Sequence, residues 1–438
     1  MSALHTFLAA ALLLIGAACS PLPGACPTSG TGSITLTFSG LPAGAEGKVT
    51  LTGAGPQTVS MPGTVTVGAG HWEVAGELAV VTDPLVRTVY AARASAPVFC
   101  LAKDATQAVE VTWSKVATSN RLWVGNGAGG SGNLQGFDSA SLRATGAATA
   151  SWSADAVASR AVAFDKAGNL WAIGNTTSDP LLARFPAEAF ATAARPTADR
   201  ALSLPGLSCV PALKAIAFDR EGNLFAGSAC KREVYKLPSA SLAAAGPVTP
   251  TLTLTGVMGL EGLAFDKDGN LWVSDSASDE LLRFDASALA GSAASPARRV
   301  KVRRTDQPAD TSTLKPDALA FDKDGNLWSV DFGANVLFAV RAADLAGAGA
   351  QPATPMVRVS LSVSAVIEGL AFDEGGGLWL PWSAGKLARL SAAQLTVSTG
   401  SGAPTEPETV ITGGGLGSAQ GPALFPAPAG LPLFHALP

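Results

Sequence analysis

Apolar and polar positions along this chain follow two rhythms. From Ser33 to Lys115 they alternate in short runs: Ile34–Phe38, Lys48–Thr52, Thr64–Val67, Trp72–Ala75 and Val109–Trp113. Turns such as Leu41–Gly44 and Gly68–Gly70 separate them. Side chains of a strand point alternately to its two faces, so this spacing predicts a small antiparallel β-sandwich over residues 31–117.

The second rhythm is a repeat. Five segments are near copies, beginning at Ala163, Ala217, Ala264, Ala320 and Ala371 and reading Ala-Phe-Asp, two variable residues, Gly-Asn (Gly-Gly in the last), then Leu and an aromatic. Their phenylalanines lie 54, 47, 56 and 51 residues apart. Each copy predicts a hairpin. An apolar strand runs into Asp, Gly-Asn supplies the left-handed turn, the Asp carboxylate accepts turn amides, and Leu-Trp starts the return strand. A third strand such as Glu280–Phe284 follows, then a helical turn such as Asp285–Leu289, then a fourth strand such as Arg299–Arg303. Comparable helical turns fall at Ser139–Leu142, Pro186–Phe190, Ser239–Leu242, Ala342–Leu345 and Ser391–Leu395. Four strands per ~50 residues make a β-propeller blade. The predicted fold class is all-β, a six-bladed β-propeller over 118–438 preceded by the sandwich. Return-strand aromatics at Trp123, Trp171, Phe225, Trp272, Trp328 and Trp379 count six blades. The first lacks an inner strand, which Gly421–Phe425 supplies from the far end of the sequence; alternatively, Leu431–Phe434 starts a seventh blade.

The stretch Gly262–Asp275, GLAFDKDGNLWVSD, is similar to the NHL repeat and, more broadly, to gluconolactonase-like and streptogramin-lyase-like propellers. The Gly40–Gly44 turn, the Val67–Val74 hairpin and the closing Val109–Trp113 run resemble PEGA-like and prealbumin-like modules of bacterial surface proteins, which serve as spacers.

Phe7–Ala18 is a twelve-residue apolar run, the length of a signal-peptide core and too short to span a bilayer. The sequence Leu14–Cys19 resembles the lipobox of bacterial lipoproteins, which implies a signal peptide over 1–18, lipidation of Cys19 and a lipidated tether over 19–30. An ordinary cleaved signal followed by an incidental cysteine is the alternative. The lipoprotein reading places the protein in the bacterial outer membrane, periplasm or cell surface, its one membrane contact being the lipid. It also resolves the odd cysteine count: with Cys19 acylated, Cys26 pairs with Cys100 across the sandwich and Cys209 with Cys230 across one strand-turn-strand unit. Neither pair has zinc-site spacing.

Charged residues are 15% of the chain, the formal charge is −4 and the pI is near 5.5. That balance disfavours a nucleic-acid partner. No apolar run reaches the ~20 residues of a transmembrane helix.

The register of the repeat places the candidate chemistry. Inner strands of a propeller all start at one face, the mouth. Four residues before each motif phenylalanine stand Arg160, Lys214, Glu261, Asp317 and Glu368, with Gly421 in the closing strand. Three residues after each return-strand aromatic stand Asn126, Gly174, Ser228, Asp275, Asp331 and Trp382. Glu261, Asp275, Asp317, Asp331 and Glu368, with Asn126, offer hard oxygens of the kind Ca²⁺ takes. The resemblance to gluconolactonase-like propellers implies a metal at this mouth. The competing expectation is a solvated ring whose acids pair with Arg160 and Lys214. Trp382 offers a surface for stacking on a sugar or cation. The Asp-x-Asp-Gly-Asn turns at 266–270 and 322–326 lack the later ligands of a calcium loop and are read as turn chemistry.

Histidine is the informative shortage. His5, His71 and His435 are the only three, and none stands at a blade position. That excludes a Ser-His-Asp triad and the mouth histidines on which streptogramin-lyase-like and paraoxonase-like propellers rely. Two functions remain. The first is a binding or scaffold module holding a protein or small-molecule ligand at the mouth. The second is a Ca²⁺-dependent lactonase-type hydrolase using Glu261, Asp317 and Glu368.

Overall fold

The computed structural model describes Cys26 and residues 29–433, except 54–56, 78, 84–85, 120, 127–132, 156–159, 166–167, 176–179, 187–188, 190–194, 208, 210–212, 292, 305–310, 332, 363–366, 384, 400–403, 418, 426–427 and 429–430. The predicted signal peptide and Cys19 lie outside the described residues, as does most of the tether. The chain forms two compact units, 1–81 with 89–116, and 82–88 with 117–438.

The first unit carries two sheets. One has the order Gly63–Gly68, Thr31–Ser39, Thr106–Ser119, Val86–Ala94, Ala79–Asp83. The other has the order Gln57–Val59, Val49–Thr52, Gly70–Gly76, Val98–Leu101. Alternate residues of both face one core: Ile34, Leu36, Val109 and Val111 from the first, Leu51, Trp72 and Val74 from the second. The sandwich departs from an antiparallel pattern at one place. Thr31–Ser39 and Thr106–Ser119 pair in parallel, with Ile34 opposite Gln107 and Leu36 opposite Val109. The strands at Ala79–Asp83, Val86–Ala94 and Val98–Leu101 come from a stretch without strict alternation, which is why periodicity did not single them out. Cys26 and Cys100 are disulfide-bonded, with Cα atoms 5.6 Å apart.

Among the described residues, the 117–438 unit contains six sheets. The fourth shows the pattern, ordered from the axis outward as Leu260–Phe265, Leu271–Asp275, Glu280–Phe284 and Arg298–Val302. Ala419–Phe425 pairs antiparallel with Arg121–Asn126, with Leu424 opposite Leu122 and Ala423 opposite Trp123. The sequence-distant strand therefore completes the first sheet and covers the edge of Arg121–Asn126. Leu431 is not in a strand; it packs against the apolar core between the fifth and sixth sheets, so no seventh sheet begins there among the described residues.

A further element was not read from the sequence. After its helical turn the chain runs parallel to the outer strand of the preceding sheet, as Gly349–Ala353 does beside Arg298–Val302 and Gly246–Pro247 beside Arg200–Ser203. Gly146–Ala147 does the same beside Thr409–Thr412, stitching first sheet to last.

The repeated hairpin turn explains its own sequence. In the fifth sheet Asp322 Oδ1 accepts the amides of Asp324 and Asn326, both at 2.9 Å. Its Oδ2 accepts Asn326 Nδ2 and Trp328 Nε1, again at 2.9 Å. Gly325 takes φ +80°, a conformation that penalises any side chain. Asn326 Oδ1 then accepts the Ala342 amide at the start of the helical turn. One Asn thus joins hairpin and helical turn, and both recur together.

Candidate functional site

Arg160, Lys214, Glu261, Asp317 and Glu368 converge at the mouth because each stands where its inner strand begins. The acids and bases largely cancel in pairs. Arg160 Nη1 donates to Glu368 Oε1 at 3.0 Å. Lys214 Nζ pairs with Glu261 Oε2, and Ser276 Oγ donates to Glu261 Oε1 at 3.0 Å. Asp317 has neither arrangement. It is 7% exposed, and its Oδ1 is buried without a hydrogen-bond partner among the described residues. Burial raises its pKa, Lys214 lowers it and Glu368 raises it again, leaving it at about 7. Asp317 is therefore a carboxyl that changes charge near neutrality.

The second predicted ring does not reach the axis. Its members sit on the second strand of each sheet, one strand removed, and the polar atoms of Asp275, Asp331 and Asn126 are taken up by nearby backbone and side-chain groups. Asp275 is fully buried, and its oxygens accept the amides of Met258 and Gly259 at 2.7 Å and of Ala277 and Ser278 at 3.2 Å. Asp331, also fully buried, accepts the amides of Lys315 and Ala334 and pairs with Arg304. Asn126 Nδ2 donates to Asn133 Oδ1 and to the Gly415 carbonyl. Trp382 falls at a register shift between Pro381 and Ser383 and lies in the apolar core, 6% exposed, so it offers no stacking face.

These contacts decide how well the residues would hold a divalent cation. Asp275 and Asp331 are committed to strand-end amides, Glu261 and Glu368 to cations, and Asn126 to a hairpin. Among the described residues no group of three or more His, Cys, Asp or Glu has a metal-holding arrangement. The residues present do not fit the Ca²⁺ centre that the propeller resemblance implied. The hairpin-turn Asp266 and Asp322 are likewise saturated by amide and indole donors.

Below the charges the axis turns apolar. The mouth is a cup of about 90 Å³ whose charged lining is Lys214, Glu261 and Glu368. Its floor is a collar of Val162, Ile216, Leu263, Leu319 and Leu370. The same collar roofs a second chamber of about 140 Å³, made roomy by alanines at positions 163, 217, 264, 320, 371 and 423. Pro428, Leu431, Pro432 and Leu433 line that chamber too. Sequence register located the charged ring, but the apolar axis was not read from it. The signal was present in the β-branched or Leu residue two before each motif phenylalanine.

Cys209 and Cys230 are disulfide-bonded, their Cα atoms 6.1 Å apart. The bond ties the approach to the third inner strand to the turn after its partner, beside Lys214, whose amide donates to the Gly227 carbonyl at 2.8 Å.

Residues 215–348, the third and fourth sheets and three strands of the fifth, match the family model described as SMP-30/Gluconolactonase/LRE-like region. Over those residues the propeller is gluconolactonase-like. No curated protein is a significant match to the sequence. Solved structures similar to this chain include a streptogramin B lyase at 12% identity and TM-score 0.35, the alignment covering 54% of this chain and 66% of that one. A selenomethionine-substituted virginiamycin B lyase from Staphylococcus aureus is 13% identical with TM-score 0.38, covering 72% and 80%. A protein of unknown function from Bacteroides caccae is 12% identical with TM-score 0.41, covering 67% and 98%.

Proposed function

We propose that this is an exported, lipid-anchored binding protein whose propeller mouth holds a small ligand without converting it. The observation that carries the reading is the disposition of charge at the mouth. Two cations neutralise two carboxylates, the strand-end carboxylates Asp275 and Asp331 are spent on backbone amides, and a single carboxyl, Asp317, is left over. Paired charges make a rigid, specific rim. The apolar run Phe7–Ala18 ahead of Cys19 and the two disulfides support export. No helix among the described residues is long and apolar enough to cross a membrane. The test is to incubate the full chain with δ-gluconolactone and with an aromatic lactone, with Ca²⁺ and with EDTA. No turnover above buffer is expected, and Cys19→Ala is expected to move the protein from the membrane to the soluble fraction.

The match of residues 215–348 to the gluconolactonase-type family favours a second reading, a lactone hydrolase. Asp317 would then serve as the base, taking a proton from the water that attacks the ring carbonyl. Turnover that rises to a plateau above about pH 7 and disappears in Asp317→Asn would establish this reading over the first.

A further inference from the structure

The chamber below the collar has a wall of one chemical kind. Every side chain that lines it is alanine, valine, leucine, isoleucine, proline or phenylalanine, so its polar atoms are those of the backbone alone. None of the mouth charges Lys214, Glu261 and Glu368 reaches it. Leu431, which lines it, also borders a cleft with the hairpin-turn residues Asp322 and Asp373, at the other end of the inner strands from the mouth.

Much of that wall is aromatic. Phe218, Phe265, Phe321 and Phe372, the motif phenylalanines of the third to sixth sheets, line the chamber and are each 5% exposed. Each is held edge-on by the return-strand aromatic of the preceding sheet, Trp171, Phe225, Trp272 and Trp328, with ring centroids 6.2, 5.2, 6.4 and 5.9 Å apart. The residue before each phenylalanine is alanine, and it too lines the chamber. Protein interiors ordinarily close such spaces. Here four successive strands place the smallest apolar side chain at the axis, and about 140 Å³ stays open. An apolar cavity of about 150 Å³ stays dry and takes up benzene.

We propose that this chamber is a binding site, separate from the mouth, for a small uncharged aromatic molecule of one ring. The ring packs against the phenylalanines, whose positions the neighbouring aromatics fix. A charged ligand would lose its hydration with no counter-charge in the lining. A cation would gain only the attraction of phenylalanine faces, which is weaker than that of tryptophan.

The experiment is calorimetric titration of the full chain at pH 7 with phenol, cyclohexanol, sodium benzoate and benzylammonium chloride at matched ionic strength. Phenol is expected to bind at least tenfold more tightly than the other three. Ala371 lines the chamber and belongs to none of the apolar clusters among the described residues. Ala371→Leu is therefore expected to weaken phenol tenfold or more while keeping the wild-type midpoint in urea. Ala264→Val, on another sheet, gives an independent reading should Ala371→Leu not fold. Silence from phenol, or wild-type affinity in the folded variants, would overturn the proposal. Equal binding of cyclohexanol would overturn the aromatic assignment. Preference for benzoate or benzylammonium would put the ligand among charges and overturn the proposal, while leaving the mouth a ligand site.

Discussion

Arg389 fills the space that Gly377 leaves open. In the third, fourth and fifth sheets an Asn stands at this turn position, its Nδ2 donating to the hairpin Asp and its Oδ1 capping the helical turn, as Asn270 does for Asp266 and Ala286. In the sixth sheet the residue is Gly377, and a side chain there would overlap the Arg389 guanidinium. Arg389 Nε donates to Asp373 Oδ2 at 2.5 Å and Nη2 to Asp373 Oδ1 at 3.2 Å, taking over the donor role. Gln394 Oε1 accepts the Ser391 amide at 2.9 Å, at the start of the helical turn.

Gly377→Asn alone should therefore destabilise the protein, although it restores the consensus of the repeat. Overpacking of this kind costs about 1–3 kcal/mol. With Arg389→Ala the same Asn should find its space and its Asp partner, so the double variant should be more stable than the sum of the singles. Urea denaturation of all four proteins gives the coupling energy. Additive losses would show that the exchange of roles is incidental.

The hairpin Asp residues predict a contrast between stability and calcium. Asp322 receives four hydrogen bonds, one of them from the indole of Trp328, which is 3% exposed. Asp322→Ala leaves that buried N–H unpartnered and should lower stability by roughly 2–4 kcal/mol. Thermal unfolding in EDTA and in millimolar Ca²⁺ should coincide for the wild type and for the variant. A Ca²⁺-dependent midpoint that Asp322→Ala abolishes would show the turn to be a cation loop after all.

Repetition made the propeller legible in the sequence, because each Ala-Phe-Asp…Gly-Asn-Leu-Trp copy encodes its own turn and needs only local chemistry. The mouth was half legible for the same reason. Register along an inner strand located Arg160, Lys214, Glu261, Asp317 and Glu368, since every copy begins at the same face. The same register failed one strand out. Counting from the aromatic of each return strand cannot tell a side chain facing the axis from one facing its own strand end, and Asp275, Asp331 and Asn126 are of the second kind. Trp382, expected at the mouth, is turned into the core because a register shift falls between Pro381 and Ser383, which no repeat average contains. The parallel pairing of Thr31–Ser39 with Thr106–Ser119 depends on partners more than seventy residues apart, and alternation alone is blind to strand direction.

The Cys209–Cys230 disulfide closes a loop with a sequence separation of 21 residues. A chain-entropy estimate for a loop of that size is about 3 kcal/mol. Replacing both cysteines with serine should lower the unfolding midpoint accordingly. It should also weaken any ligand held near Lys214, because the disulfide anchors the approach to that residue. Retained stability in the double variant would mean that the bond is dispensable to the blade.

Asp317 makes the last prediction, a dependence of stability on pH with a definite sign. Its pKa is raised from the model-compound value of 3.8 to about 7, chiefly by burial. The folded state therefore holds a proton that the unfolded chain gives up. The stabilisation is fully present below about pH 4, declines as pH rises, and is gone once pH passes about 7. A shift of that size corresponds to roughly 4 kcal/mol across the window. Asp317→Asn mimics the protonated form and cannot ionise, so its stability should vary far less between pH 4 and 8, and at pH 8 it should exceed the wild type. The check is urea unfolding of both proteins at half-unit steps over that range. Parallel pH profiles would mean that Asp317 ionises normally, with a donor or solvent at hand.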